Sequence, residues 1–213
     1  MAGPPNRREP DIAAGILAGG RASRFSGCAK GRLELPGGVS IIENALAAVA
    51  AAGIAPVAIV ANDPEPYEHL GVEIVPDLRP GLGPLGGIEA ALFHYAGRCE
   101  AVLVLPCDLP GITDLEVRAL CAAFEESRPP AVVAATGDGF WHPLCAVARV
   151  DLLPAVSRAL DAGRNGVYRL WRGVGAAPLY FDDAAPFFNV NTPADLDRWL
   201  LGERQPEREA KLV

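Results

Sequence analysis

Asp108 follows directly on the apolar run 101–105 and stands between Pro106 and Pro110. A carboxylate there, on a backbone restricted by prolines, suits Mg²⁺, which prefers one or two carboxylates together with substrate phosphates and water. The alternative is an aspartate that caps a helix. The next helical pattern begins later, near residues 113–114, so the position favours a metal ligand.

A glycine-rich loop with three cations follows the apolar run 12–17. The glycine pair 19–20 lets backbone N–H groups approach an anion, and Arg21, Arg24 and Lys30 supply charge for a phosphate chain. The spacing matches neither G-x-G-x-x-G nor G-x-x-x-x-G-K-[ST]. A flexible turn with solvated cations is the alternative. Three cations directly after a buried strand favour phosphate binding instead.

Two asparagines alternate ahead of the last helical pattern. Thr192, Pro193 and Asp195 are explained as a helix cap, a first helical residue and a charge that favours the positive helix end. That explanation leaves out Asn189 and Asn191, which lie on one side of an extended segment. The pair is therefore a candidate binding element.

His142 and three arginines are weaker signals. A single histidine with no second one at metal-ligand spacing is typical of a structural role. Arg164, Arg169 and Arg172 would suit a second phosphorylated ligand, but they equally suit a solvated helix face.

Composition limits the class of protein. The 213 residues are 50% hydrophobic with a net charge of −7, which excludes a disordered chain and a basic nucleic-acid-coating protein. The apolar runs fall short of the ~20 residues that span a bilayer, so no membrane contact is expected. Five scattered cysteines suit neither a disulfide framework nor a zinc site. We expect a soluble, cytoplasmic protein.

Short apolar runs alternate with helical patterns along the chain. Strands are predicted at 12–17, 56–60, 72–75, 101–105, 131–135 and 144–148, with a late pair at 176–180 and 187–190; helices are predicted at 40–52, 85–96, 115–126, 152–162, 167–171 and 194–201. Strands that are apolar throughout are covered by helices on both faces. The fold prediction is a three-layer, doubly wound, Rossmann-like α/β domain with a mostly parallel sheet over residues 11–201, with flexible tails at 1–10 and 202–213. Its ligand should lie at the carboxyl ends of the strands.

Four motifs in order carry a family resemblance over about residues 12–200. They are L-A-G-G at 17–20 with the following Arg and Lys, G-P-L-G-G at 83–87, P-C-D-L-P at 106–110 and N-V-N-T-P at 189–193. The series is similar to the MobA-like nucleotidyltransferases, the branch that contains molybdenum cofactor guanylyltransferase. Two departures stand out: Ala29 replaces the usual acidic residue, and Phe25-Ser26 replaces the usual Met-Gly.

The resemblance implies a reaction and a set of roles. GMP would pass from GTP to the molybdenum-molybdopterin cofactor, with Mg²⁺ as cofactor, release of pyrophosphate and formation of the guanine dinucleotide cofactor. The implied GTP-binding residues are Leu17, Ala18, Gly19, Lys30, Asn62, Asp77 and Asp108; the acceptor residues are His142, Asn189 and Asn191; the catalytic residues are Arg24, Lys30 and Asp108, of which Asp108 holds the metal. The implied protein partners are molybdoenzymes or their chaperones.

Two alternatives stay open. One is a related nucleotidyltransferase with another nucleotide or acceptor, such as a cytidylyl or sugar-phosphate enzyme. The other is a catalytically weak nucleotide-binding protein, which Ala29 suggests.

Overall fold

A computed structural model describes residues 11–19, 30–137 and 139–202. Seven strands form one sheet: β1 (Ile12–Leu17), β2 (Val57–Val60), β3 (Glu73–Val75), β4 (Ala101–Pro106), β5 (Ala131–Thr136), β6 (Trp141–Arg149) and β7 (Ala177–Phe181). Their order is β3-β2-β1-β4-β6-β5-β7, and β6 alone runs opposite to the others. The predicted mostly parallel sheet is confirmed.

The described residues form six α-helices, five of which cover the two faces of the sheet. They are α1 (Ile41–Ala51), α2 (Pro84–Tyr95), α3 (Asp114–Ser127), α4 (Leu153–Asp161), α5 (Val167–Gly173) and α6 (Pro193–Leu200). One core cluster joins α1 and α3 to the sheet, and a second joins α2, α4 and α5 to its other face. Helix α6 packs against a small separate cluster. The predicted three-layer, doubly wound fold is confirmed.

Strand β1 shows how the sequence builds these layers. All six of its residues are buried: Ile12 and Ile16 belong to the core under α1 and α3, whereas Ala13 and Leu17 belong to the core under α2. Between them, Gly15 allows α2 to approach closely, because a Cβ there would lie 2.9 Å from the Cβ of Ala91. The alternation explains why a strand in the middle layer is apolar throughout.

The strand predicted at 187–190 is wrong. Its first residue, Phe187, is the last residue of a short 3₁₀ helix, Ala185–Phe187. The place beside β5 at the edge of the sheet is taken by β7. The backbone N–H of Val190 donates to the carbonyl oxygen of Asp108 instead (2.9 Å).

The carboxyl ends of β1, β2, β3 and β4 share one edge of the sheet, and β6 begins at that edge. Because β1 pairs with β2 on one side and β4 on the other, the order of the strands switches there, as at the ligand sites of open α/β sheets. Within the described ranges, no helix has the length and apolarity needed to cross a bilayer.

Candidate functional site

Asp108 lies at this edge, two residues beyond the end of β4. Its carboxylate Oδ1 accepts a hydrogen bond from the Asn189 side-chain Nδ2 (2.8 Å), and its carbonyl oxygen accepts one from the N–H of Val190 (2.9 Å). Two elements that the sequence analysis treated separately, the aspartate after β4 and the N-V-N-T-P run, therefore meet through a direct side-chain contact.

Asp108 does not cap a helix. Helix α3 begins at Asp114, and its N-cap is Thr113, which forms a capping box with Glu116 (Thr113 N to Glu116 Oε2, 3.0 Å). The alternative interpretation of Asp108 is thus contradicted, because the helix has its own cap five residues later.

Asn44 fixes the loop that carries Asp108. This residue of α1 donates from Nδ2 to the carbonyl oxygens of Pro110 (3.2 Å) and Ile112 (3.1 Å). Asn44 is not among the site residues predicted from the sequence. The available signal was an amide within the largely apolar helix pattern that begins at Ser40, where a half-buried polar side chain needs a partner.

Asn62 and Asp77 follow β2 and β3 and form a reciprocal pair. Asn62 Nδ2 donates to Asp77 Oδ2 (2.8 Å), and the backbone N–H of Asp77 donates to Asn62 Oδ1 (3.0 Å). The neighbouring Asp63 makes the local turn, since its Oδ1 accepts from the N–H of Glu65 (3.3 Å). The local turn is therefore made by Asp63, while Asn62 is left to pair with Asp77.

Helix α2 brings Leu17 and Asp77 onto one surface. A Cβ on Gly87, in the first turn of the helix, would lie 3.2 Å from Leu17 Cδ2 and 3.7 Å from Asp77 Oδ1. A Cβ at 87 would crowd the Leu17 side chain and would contact the Asp77 carboxylate. The G-P-L-G-G motif thus gives a close approach between the helix and the strand ends.

The first loop is described at its two ends. Ala18 donates its N–H to the carbonyl oxygen of Val60 (2.9 Å), and its own carbonyl oxygen accepts from the Tyr67 hydroxyl (3.5 Å). Gly19 is exposed beyond it, and Arg24 lies outside the described residues together with the rest of 20–29. Lys30 begins the 3₁₀ helix Lys30–Arg32.

The backbone that follows Lys30 lies beside the loop of Asp108. A Cβ on Gly31 would be 3.4 Å from the sulfur of Cys107, so residue 31 packs against the residue that precedes Asp108. In addition, the N–H of Cys107 donates to the carbonyl oxygen of Leu17 (3.0 Å). The structure therefore brings the backbone positions of the first loop and the loop of Asp108 together.

His142 lies at the start of β6, on the same edge. Its ring stacks on Phe187 with 4.6 Å between centroids and 22° between planes. Phe187 is two residues before Asn189, so His142 supports the base of the segment that carries the asparagine. The adjacent carbonyl oxygen of Pro143 accepts from Trp171 Nε1 (2.7 Å), which ties α5 to β6.

Asn191 is held by the helix that follows it. Its backbone N–H donates to Asp195 Oδ2 (3.0 Å), while Thr192 Oγ1 accepts from the N–H of Asp195 (3.1 Å). The predicted cap and the predicted Pro193 at the first helical position are confirmed. Val190, between the asparagines, is fully buried, so Asn189 and Asn191 occupy alternate positions on either side of a buried anchor.

The arginines considered for a second phosphorylated ligand, Arg164, Arg169 and Arg172, lie on or near α5. Arg164 and Arg169 line a groove of about 620 Å³ between α4 and α5, which Arg158 also lines. Arg172 lies over the ring of Trp141, 5.5 Å from its centroid.

Burial makes the thiols of Cys145 and Cys121 poor nucleophiles. Burial raises the pKa of the Cys145 thiol, and the nearby Asp108 charge raises it further. Burial likewise raises the pKa of Cys121 to about 12. Cys107, next to Asp108, is a small buried residue.

A metal site at Asp108 would depend on the substrate for most of its ligands. Across residues 11–19, 30–137 and 139–202, no cluster of three or more His, Cys, Asp or Glu side chains is arranged to hold a metal ion. Mg²⁺ is commonly bound through one or two carboxylates, substrate phosphates and water rather than by an all-protein cage. One carboxylate at a polar strand end therefore fits Mg²⁺ that arrives with a nucleotide.

A doubly wound sheet with polar loops at its carboxyl edge defines the class of open α/β proteins that bind ligands at the strand ends. The structure is similar to that of molybdopterin-guanine dinucleotide biosynthesis protein A from Archaeoglobus fulgidus (TM-score 0.71, 24% identity, 88% of this chain and 96% of the other). It is also similar to a CMP:2-keto-3-deoxy-manno-octonic acid synthetase solved with CTP (TM-score 0.69, 15% identity, 90% and 98%). These likenesses establish the fold and do not select a nucleotide.

The sequence defines the family more narrowly. Residues 14–177 match the family model of the MobA-like NTP transferase domain, and the chain belongs to this family. A protein from Shewanella frigidimarina named molybdenum cofactor guanylyltransferase is 34% identical over 190 residues, which cover 86% of this chain and 93% of the other. The resemblance inferred from the four motifs is confirmed.

Proposed function

We propose that the protein is a molybdenum cofactor guanylyltransferase, which transfers GMP from GTP to the terminal phosphate of the molybdenum-molybdopterin cofactor and releases pyrophosphate. The observation that carries this proposal is the relationship over nearly the whole chain to a protein of that name, at 34% identity. The alignment covers 86% of this chain and 93% of that protein.

The geometry supports a two-substrate site at the sheet edge. Asn62 and Asp77 lie beyond β2 and β3, on the side proposed for the guanine base. Asn189 and His142 lie on the other side of β1, next to the ends of β4 and β6, where the acceptor is proposed to bind. Asp108 lies next to Asn189. An α-phosphorus near Asp108 would therefore be reachable from both sides.

Asp77 offers a chemical basis for the choice of guanine. An ionised carboxylate only accepts hydrogen bonds, and guanine presents two adjacent donors, the ring N1–H and the 2-amino group. Asn62 holds Asp77 through two hydrogen bonds, one donated to the carboxylate and one accepted from the backbone N–H, so the carboxylate is oriented before the base arrives. Cytosine lacks that pair of adjacent donors.

The main task of the protein's own residues is to position the substrates and to neutralise charge on the phosphates. In phosphoryl-type transfer, alignment and charge stabilisation supply most of the acceleration. The acceptor phosphate is ionised at neutral pH and needs no general base. Arg24 and Lys30 would offset the charge that grows on the leaving pyrophosphate, and Asn189 would hold the Asp108 carboxylate in one orientation.

Mg²⁺ is part of the proposal, with Asp108 as its protein ligand. When bound with the nucleotide, the ion would neutralise negative charge on the phosphate oxygens. The hydrogen bond from Asn189 would then act as a second-layer contact that orients the ligand carboxylate.

The test first compares the thermal shifts that different nucleotides produce and then measures turnover with the acceptor. Thermal shifts with GTP, CTP and ATP, each with Mg²⁺, should be largest for GTP, by an amount that mass action sets. Equal shifts for GTP and CTP would contradict the guanine assignment and favour the related cytidylyl enzyme. Pyrophosphate release that requires the molybdopterin acceptor would establish the reaction. GTP binding without such release would identify a nucleotide-binding protein of weak activity.

A further inference from the structure

Glu89 is a carboxylate buried inside α2. It is 2% exposed, and the helix contains no other Asp, Glu, Lys or Arg. A buried carboxylate is tolerated when it is paired and hydrogen-bonded. Glu89 accepts from Arg79 through both Nε (3.0 Å) and Nη2, and from the hydroxyl of Ser157 (2.6 Å). The Arg79 hydrogen bond lowers the pKa of Glu89, so the group is held as an anion.

Arg79 fastens one loop to two helices. It lies in the β3–α2 loop, two residues after Asp77, and its fork contacts Glu89 in α2. Its Nη1 also pairs with Asp161, at the end of α4, and its Nη2 donates to the carbonyl oxygen of Ser157 (3.4 Å). A planar guanidinium can satisfy these directions together, whereas an ammonium cannot.

The loop needs such an anchor. Gly81 and Gly83 both adopt positive φ (88° and 73°), and α2 begins at Pro84 without a side-chain cap. Asn62 holds the near end of the loop through Asp77, so Arg79 supplies the next side-chain anchor. The direction of the Asp77 carboxylate therefore depends on where Arg79 holds the chain.

We infer that Arg79 is a positioning residue for the base of the bound nucleotide. The Glu89–Arg79–Asp161 clamp sets the β3–α2 loop so that the Asp77 carboxylate faces the donors of guanine. This inference rests on the proposed function. A purely stabilising role is the competing explanation, and it predicts a change in unfolding without a change in base selectivity.

The experiment uses the full chain and a matched pair of substitutions. Arg79→Lys keeps the positive charge but loses the planar guanidinium. Arg149→Lys is the matched control: it makes the same change in an exposed bidentate pair with Asp151, at the opposite edge of the sheet from the site. Arg79→Met/Glu89→Leu removes both charges of the buried pair and leaves neither partner alone. The readouts are Kd for GTP and for ITP, which lacks the 2-amino group, and amide exchange of residues 76–83.

Arg79→Lys should weaken GTP about tenfold or more, because a misplacement of about 1 Å can cost two orders of magnitude in a positioned site. The Kd for ITP divided by the Kd for GTP should fall towards one. The backbone amide hydrogens within residues 76–83 should exchange faster with solvent. The double variant should show the same changes, and Arg149→Lys should show none of them.

Parental Kd values and parental exchange in Arg79→Lys would overturn the inference. Faster exchange with an unchanged ITP to GTP ratio would also overturn it, since the loop would then move without affecting the base. If the parent protein prefers CTP, the proposed function fails by itself. The positioning role of Arg79 is then tested with CTP in place of GTP. It is overturned if Arg79→Lys leaves both the amide exchange of the β3–α2 loop and the Kd for CTP unchanged.

Discussion

Asn189 donates its side-chain amide to the carboxylate of Asp108 at 2.8 Å, across 81 residues of sequence. The contact couples two loops of the sheet edge, because the N–H of Val190 also binds the carbonyl oxygen of Asp108. An aspartate held at both its side chain and its backbone has little freedom to turn. It is therefore oriented before any ligand arrives.

The first prediction concerns Asn189. Asn189→Ala should lower transfer by about 10–100-fold, the usual effect of removing a residue that orients a metal ligand. GTP affinity should change less, since the base is proposed to bind beyond β2 and β3. Steady-state kinetics with separate titration of GTP would measure this. The same change introduced into an Asp108→Ala protein should add little, because the interaction partner is already gone.

Asp108→Asn tests the ligand itself. The substitution keeps shape, and its amide oxygen can still accept from Asn189, so the melting temperature should stay near that of the parent. Activity should fall by orders of magnitude, since Mg²⁺ stabilisation of a transferring phosphate is worth several kcal/mol. Asp151→Asn, an exposed change at the other end of β6, serves as the control. Normal melting with near-parental Mg²⁺-dependent turnover would place the metal elsewhere.

Lys30 can be tested by chemistry as well as by substitution. The sequence contains two lysines, Lys30 and Lys211. GTP with Mg²⁺ should protect Lys30 from an amine-reactive reagent and leave Lys211 unprotected, which mass spectrometry would read. Lys30→Ala should lower transfer by about a hundredfold, as for the loss of one preorganised charge donor. Equal labelling of both lysines with and without GTP, together with parental turnover of Lys30→Ala, would exclude the first loop as the triphosphate site.

The sheet was predictable because burial on both faces leaves a local signature. Strand β1 has the predicted bounds, Ile12–Leu17, and every residue in it is buried. The helix starts were predictable too, since Ser40 and Thr113 begin capping boxes that depend on four neighbouring residues. Such features are set by short-range sequence.

The contacts between loops were not predictable in this way. Nothing near Asn189 in the sequence indicates Asp108 as its partner, and Asn44 reaches carbonyl oxygens 66 and 68 residues away. Glu89 gave a signal, a lone carboxylate in an apolar helix, but its partner Arg79 depends on how the β3–α2 loop folds back. The strand predicted at 187–190 failed for the same reason, because its hydrogen bonds go to a loop.

Gly15 tests the packing of α2 on the central strand. Gly15→Ala would place a Cβ 2.9 Å from the Cβ of Ala91, so the helix must shift. Overpacking of this kind destabilises by about 1–3 kcal/mol, which urea unfolding would measure. Gly173→Ala, in α5, meets no atom within 4 Å and should be neutral or stabilising by up to about 1 kcal/mol. Equal stability of the two variants would show that α2 does not approach β1 this closely.

The last prediction concerns the stability of the fold in acid. The hydrogen bond from Arg79 holds the pKa of Glu89 below its ordinary value of 4.5. A carboxyl group whose pKa is lowered by folding stabilises the native state fully above its unfolded pKa, and this contribution is lost as the pH falls through the lower, folded pKa. The free energy of unfolding of the parent should therefore fall with pH below about 5 more steeply than that of Arg79→Met/Glu89→Leu, which lacks the titrating group. Urea unfolding at a series of pH values between about 7 and 3 measures the difference, and Arg149→Lys should follow the parent. A difference between parent and double variant that stays constant over this range would show that the pair does not contribute through the charge of Glu89.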